Sequence, residues 1–338
     1  MRVSDTDFIN AWKRHGSPAA VARVLGVSER QAYKRRNKIE AKHGIILTSY
    51  TMDKTGRQKI ELPRVGIRQL ANVTGPVIVF GDAHWWPGQA KSAAHLALLE
   101  VIRTVKPAMI VANGDLLDLP SSSRYPPLGY GTPPAHDVAQ EIAICQEYLA
   151  EIEALAPPDC LLVYNLGNHD VRFAARIAAN APELATLTGV RLEDHFPAWA
   201  MGMSLMVNGN VMIKHRPPKG GIHATYGSIV ASGLDCIVTN HLHALRVTPL
   251  TTYRPRRAYG VDAGCLANFG PGSPQFDYAE DGVVGWASGF GVLHIQADGS
   301  ILPPELCEVV EGTAYFRGEA VHSKSGLLMT QNKAKQAA

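Results

Sequence analysis

Three apolar runs in this chain break off on the same kinds of residue, and that repetition limits the fold more than any other feature. VIVF (77–80) runs into Gly81-Asp82-Ala83-His84, AMIVAN (108–113) into Gly114-Asp115, and CLLVYNL (160–166) into Gly167-Asn168-His169-Asp170. Short apolar runs bounded by glycine read as buried strands. Between them the spacing turns helical: Leu96, Leu98, Leu99 and Ile102 mark a helix over 91–105, and 137–155 reads as a second. Alternating strands and helices predict an α/β fold. In open α/β sheets, ligands bind just beyond the C-terminal strand ends. The pattern therefore delivers carboxylates and imidazoles to one lip. Asp82 and His84 are two residues apart, so an extended backbone would point them the same way.

The series continues. His215 follows VMI (211–213), and Asn240-His241-Leu242-His243 follows CIV (236–238), with further β-like runs to about residue 310. Asp, His and Asn make a mixed nitrogen and oxygen set that suits Mn²⁺, Fe, Zn²⁺ or Ni²⁺ better than Ca²⁺. The five cysteines (Cys145, Cys160, Cys236, Cys265, Cys307) are scattered, form no CxxC pair and fall outside the set. They read as reduced, buried thiols, and a thiolate zinc site is disfavoured. Taken singly each cluster is ordinary: GD after a strand is often a turn, and a lone histidine is often just packed. The ordered combination points to a metal centre.

D-x-H (82–84), GD-x-x-D (114–118), GNHD (167–170), a lone His215 and H-x-H (241–243) together resemble the calcineurin-like metallophosphoesterase superfamily. The match spans about residues 77–267, where VDAGCL (261–266) is similar to the family's glycine turn after the last motif. One departure is Asn240, where the family has glycine. The resemblance implies a layered α/β/β/α sandwich over residues 76–312 and two divalent metal ions, manganese first, with iron, zinc, nickel or magnesium as alternatives. It places one metal on Asp82, His84 and His243, the other on Asn168, His215 and His241, and Asp115 as the bridge. Two such ions acidify a bridging water, whose hydroxide attacks a phosphoryl group in line. His169 would serve the leaving oxygen, with Asp170 orienting it, and Asp118 would support rather than ligate. Arg172, Arg216 and Lys219 are candidate phosphate contacts, with ordinary surface charge as the alternative.

The first 46 residues differ in character. They hold ten Lys/Arg against four Asp/Glu, a net of +6, which leaves −3 for the rest of a chain whose total is +3. Phe8, Ile9 and Trp12 mark a helix over 5–15. Ser17-Pro18 opens a second, and Ser28 with Gln31 forms a capping box for a third. This all-α segment resembles a helix-turn-helix DNA-binding domain. On that resemblance Arg30, Gln31 and Tyr33 would reach base edges, while Lys34, Arg35 and Lys38 meet phosphates. DNA is then the expected partner, and a homodimer the expected assembly. A bundle with a merely solvated basic face, or one that binds protein, stays open. Residues 47–75 read as a connector with a hairpin near Asp53–Gly56, and 313–338 as a polar, disordered tail.

No apolar run reaches the length of a membrane span, and the N-terminus has no export signal, so a cytoplasmic protein without membrane attachment is expected. Three functions compete: a DNA nuclease or phosphodiesterase recruited by its N-terminal helices; a phosphomonoesterase for proteins or small molecules, with a partner-binding helical domain; and a catalytically inactive DNA-binding regulator. Loops 119–135 and 216–228 would set the substrate.

Overall fold

A computed structural model describes residues 3–45, 47, 49–52, 58–123, 136–221, 223–251, 257–269, 273 and 284–323. The chain opens with three helices, α1 (Asp5–His15), α2 (Pro18–Leu25) and α3 (Glu29–His43). Each has a serine N-cap, and each ends on a glycine in the left-handed region. Ser28 and Gln31 cap reciprocally as the sequence predicts, with Ser28 N donating to Gln31 Oε1 at 2.8 Å. Phe8, Trp12, Val21, Ala22, Ala32, Ile39 and Leu47 form a core of their own.

The expected connector is more structured than a linker. β1 (Ser49–Met52) and β2 (Gln58–Glu61) pair antiparallel, Ser49 opposite Glu61; the Asp53–Gly56 turn lies outside the described residues. β3 (Arg64–Val65) and β4 (Arg68–Ala71) follow, and β4 lies parallel to β9 (Ser204–Val207). The seven-stranded sheet therefore reaches back to residue 64, well before the expected start at 76. In it β9 also pairs with β10 (Val211–Ile213), and β11 (Cys236–Thr239), β13 (Arg257–Ala263) and β12 (Leu245–Thr251) complete the order β12-β13-β11-β10-β9-β4-β3.

The second sheet has eight strands. Its parallel part is β5 (Gly75–Phe80), β6 (Met109–Ala112), β7 (Leu161–Asn165) and β8 (Ala200–Gly202). Antiparallel to β5 lies β14 (Gly289–Ile295), continued by β15 (Glu305–Val310), β16 (Thr313–Phe316) and β17 (Glu319–Ser323). Residues 313–323, expected in a disordered tail, thus form the last two strands of the sheet, with β17 at its edge and Ala314 and Phe316 of β16 turned into the core. Residues 324–338 lie outside the described part.

The apolar run of β5 serves two cores at once. Ile78 and Phe80 face α4 (Ala93–Val105) and α5 (Val138–Leu155), while Val77 and Val79 face Leu205, Val211, Val238 and Val261 of the other sheet. A strand covered on both faces reads as a continuous hydrophobic run, and each such side chain contributes about 1.5–3 kcal/mol by leaving water. On the far side, α7 (Ala224–Ser232) packs Ile229 against Ile237 and Ala258. The layers run helix, sheet, sheet, helix. Part of the expected loop 216–228 is therefore helical. Residues 124–135 of the other expected loop are outside the described part. Among the described residues, no helix is long and apolar enough to cross a membrane.

Candidate metal centre

Six chain segments arrive at one lip of the sandwich: the residues after β5, β6, β7, β10, β11 and β13. The segment after β5 is not extended. Asp82 (φ 48°) and His84 (φ 40°) are both left-handed, as are Asp115 (φ 51°), His241 (φ 70°) and His243 (φ 54°). Such conformations cost about 1–3 kcal/mol each and persist only where the surroundings over-determine them. Here the surroundings are hydrogen bonds from the main chain to distant acceptors. Asp82 N donates to Gly114 O (2.9 Å), His84 N to Asp115 O (3.0 Å), Trp85 N to Leu116 O (2.9 Å), and His241 N to the Asp82 Oδ2 carboxylate oxygen (2.7 Å). Asp82 and His84 meet through two left-handed residues held by bonds to distant segments, not because alternate residues of a strand share a face.

The ligating atoms of Asp82, His84 and His243 lie within 4.8 Å of one another, as do those of Asp115, His215 and His241, and those of His84, Asp118 and His169. His215 Nδ1 donates to Asn113 O (2.8 Å), which leaves Nε2 as the atom that would face a metal once its proton is lost. That Nε2 approaches Asp115 Oδ2 to 3.0 Å, off the axis of a hydrogen bond, and is a buried nitrogen without a hydrogen-bond partner. Asp82 Oδ1 is likewise buried without one, 3.4 Å from His243 Nε2. Glycine makes the approach possible: a Cβ on Gly114 would stand 2.6 Å from His215 Nδ1, and one on Gly167 would run into the Asp115 carboxylate.

Burial alone would raise the carboxyl pKa values here, but the imidazoles reverse it. His243 and His215 hold Asp82 below the usual range; His215, His169 and His84 do the same for Asp115; and the hydrogen bonds of His169 and His84 do it for Asp118. Burial works against a proton on His215, yet the Asp115 and Asp82 carboxylates push its pKa up to about 9. Burial and the neighbouring His215 instead pull His241 down to about 4. Ionised carboxylates and imidazole nitrogens packed face to face, with orphaned atoms among them, are the donor set that a divalent cation satisfies.

Asp118 does more than its place in the motif indicates. Its Oδ1 lies 3.0 Å from His84 Nδ1 and 2.8 Å from His169 Nδ1. One carboxylate oxygen thereby fixes the tautomer of both rings and leaves both Nε2 atoms turned away from it. Burial lowers the His169 pKa, but Asp118 and Asp115 outweigh burial and raise it, against Arg172. Arg172 sits with one guanidinium nitrogen 3.0 Å from His169 Nε2 and donates with the other to Asp118 O (2.6 Å).

Asp170 does not orient His169. Its buried carboxylate accepts from the N–H groups of Asp115 (2.8 Å), Leu116 (3.2 Å), Leu117 (3.3 Å) and Gly167 (2.8 Å), and from the Tyr164 hydroxyl (2.8 Å). It holds the loop that carries Asp115. Asn168 sits exposed on the turn beside His169, and Arg216 and Lys219 are exposed too. Among the six basic-helix candidates, Arg30, Tyr33, Lys34 and Lys38 are exposed. Gln31 is engaged in its capping box. Arg35 is turned inward, bonded to Val3 O, 3.5 Å from Asp5 and 5.2 Å over the Phe8 ring. Two residues that the motifs did not single out, Asn113 and Asn165, prove to be buried at the strand ends beneath the site. The signal for them was position alone, each closing an apolar run just ahead of a glycine motif.

The sequence matches no protein-family model and no curated protein. Among solved structures, it is similar to zinc-complexed wild-type Vps29 of Entamoeba histolytica at 14% identity, over 73% of this chain and 99% of that one, with a TM-score of 0.39. It is also similar to a Saccharomyces cerevisiae serine/threonine phosphatase (14%, 72% and 84%, TM-score 0.33) and to the Pseudomonas putida nuclease MPE (14%, 80% and 99%, TM-score 0.32).

Proposed function

We propose that this chain is a metal-dependent phosphoesterase that cleaves diester bonds in DNA, with its N-terminal helices holding it to the substrate. The observation that carries the chemistry is the pair of orphaned ligand atoms, Asp82 Oδ1 and His215 Nε2, buried within a cluster of ionised carboxylates. Two divalent ions, manganese first, would be held by Asp82, His84 and His243 and by Asp115, His215 and His241, with Asn168 adding a neutral oxygen from its turn. When bound they supply the positive charge and the acidified water that phosphoryl transfer needs. The chain's own residues do the rest. Asp118 fixes the Nδ1–H of His169, so that Nε2 is the atom that passes a proton to the leaving oxygen. Arg172, beside that Nε2, adds positive charge where a phosphate oxygen would lie.

For DNA, the support is the surface of α3. Arg30, Lys34 and Lys38 recur every four residues and form one exposed stripe. Like charges so spaced cost a helix about 0.2–0.5 kcal/mol per pair. The nearby Glu40 is taken by Arg36 and by Leu47 N. A polyanion is the ligand that would neutralise the stripe.

The test is hydrolysis with Mn²⁺ of bis(p-nitrophenyl) phosphate, p-nitrophenyl phosphate, and single- and double-stranded DNA, with Asp115→Ala as the blank. Cleavage of the diester and of DNA, lost in the variant, supports the proposal. Turnover of the monoester alone would replace it with a phosphatase.

A further inference from the structure

Beneath the centre lies a row of three side-chain amides, none of them a ligand. Asn165, Asn113 and Asn240 stand at the ends of β7, β6 and β11, each at most 1% exposed. Asn165 Nδ2 donates to Asn113 Oδ1 (2.9 Å), Asn113 Nδ2 to Asn240 Oδ1 (2.8 Å), and Asn240 Nδ2 to Gly264 O (2.9 Å). The row has a direction, since flipping one amide would set N–H₂ against N–H₂ or oxygen against oxygen.

The same three residues grip the strand end that delivers His215. Asn165 Nδ2 also donates to Ile213 O (3.1 Å), Asn113 Nδ2 to Lys214 O (3.0 Å), and Asn240 N to His215 O (3.0 Å). Three consecutive carbonyls are thus each held by one asparagine. The Asn113 carbonyl then takes the His215 ring N–H. We infer that this amide relay is the positioning device for His215 and for the metal it would hold. The inference rests on the metal reading above.

Precision is what such a device supplies. Ligands must sit within about 0.5 Å of their working place, and partners that orient a ligand are worth roughly 10–100-fold in metal affinity. Beyond the three residues of β10, main-chain bonds from Lys214 N to Val238 O (3.1 Å) and from Asn240 N to His215 O (3.0 Å) tie this segment to β11, and the side-chain amides of Asn165 and Asn113 add the hold on Ile213 O and Lys214 O. Asn240 stands where the family that the motifs resemble has glycine. Glycine has no amide to end such a relay, so this chain carries a device that the motif does not contain. Position also grades the effect. Besides Asn113, the Asn165 amide holds only Ile213 O of the strand end that delivers His215, whereas Asn240 precedes both His241 and His243.

The test is Co²⁺ binding to the full chain, followed by calorimetry and by visible absorption, for wild type, Asn165→Ala, Asn113→Ala and Asn240→Gly. Wild type should bind two ions. Asn165→Ala and Asn113→Ala should weaken one of them about 10–100-fold and shift its absorption bands, leaving the other unchanged. Asn240→Gly should perturb both. Lower thermal stability with both affinities and both spectra unchanged would overturn the inference and reduce the relay to scaffolding. Equal loss of both ions in Asn165→Ala would overturn it too. If an alanine variant does not fold, Asn165→Ser, which retains a hydroxyl donor, gives the same reading. Wild type that binds no ion would instead refute the metal reading itself.

Discussion

At the scale of single residues, the site separates groups that sequence places side by side. His169 and Asp170 are neighbours in one motif, yet they face different tasks. His169→Ala should keep both metals and lower turnover about 10²–10⁴-fold, the usual range for an acid or base; metal content by atomic absorption alongside turnover checks it. Asp170→Asn should act differently. An amide offers one acceptor and sets N–H₂ against backbone N–H groups, so the variant should lose about 2–4 kcal/mol of stability by urea unfolding. It should also lose metal, because the loop bearing Asp115 is released. The His215 imidazole should set a pH dependence. Its pKa is about 9 in the fold and 6.5 in a free chain. A raised folded pKa stabilises fully below the unfolded value, so metal-free protein should lose stability as pH rises from about 6.5 through 9. A divalent ion should remove that dependence and, at pH 7, release about one proton on binding; calorimetry in buffers of differing ionisation enthalpy measures it.

At the scale of elements, what the sequence disclosed depended on how uniform each environment is. β5, β6 and β7 are covered on both faces and were legible as apolar runs; α4 and α5 have one buried face and were legible from spacing. β4 was not. Its inward positions are Gln69 and Ala71, and Gln69 is buried because its amide donates to Met201 O at 3.0 Å, a partner 132 residues away. β16 and β17 show little strand signal because they are only four and five residues long, and β17 lies at the sheet edge. The left-handed conformations at Asp82 and His84 had no local signal, because distant main-chain acceptors impose them. The motif fixed which side chains converge, not how. On α3 the pattern showed six candidates, but not that Arg35 is spent on Val3, Asp5 and Phe8. The helix should therefore respond differently on its two sides. Lys34→Glu with Lys38→Glu should weaken binding to duplex DNA and flatten its salt dependence, the log–log slope falling by roughly 0.9 for each phosphate no longer neutralised. Arg35→Ala should instead lower the stability of the helical segment. Equal DNA affinity in the double variant at several salt concentrations would exclude a polyanion as the ligand of this stripe.

At the scale of the whole molecule, two bodies of core differ in what stabilises them. The helical segment has seven buried apolar residues and, among the described residues, no candidate metal ligand, and a core so small is marginal. The sandwich has two large cores, and its candidate metal ligands come from both sheets. Ligand binding stabilises only the part that it joins, by about 2.7 kcal/mol at a hundredfold excess over Kd. Thermal unfolding of the full chain should therefore show two transitions, and EDTA should lower only the one that belongs to the sandwich. Acid should act on both, since Asp82, Asp115 and Asp118 of the sandwich are also depressed, and on the helical segment it should act through Asp5. Lys42 and His43 hydrogen-bond to Asp5 and hold its pKa at about 2. A carboxyl depressed in the fold stabilises above its free value of 3.8 and loses that contribution as pH falls toward 2, so the chelator-insensitive transition should weaken across that window. Asp5→Asn should abolish this acid response while leaving the EDTA response of the other transition intact. A single transition that shifts with both EDTA and Asp5→Asn would mean that the helices and the sandwich unfold as one cooperative unit, and recruitment by an independently folding N-terminal module would then have to be abandoned.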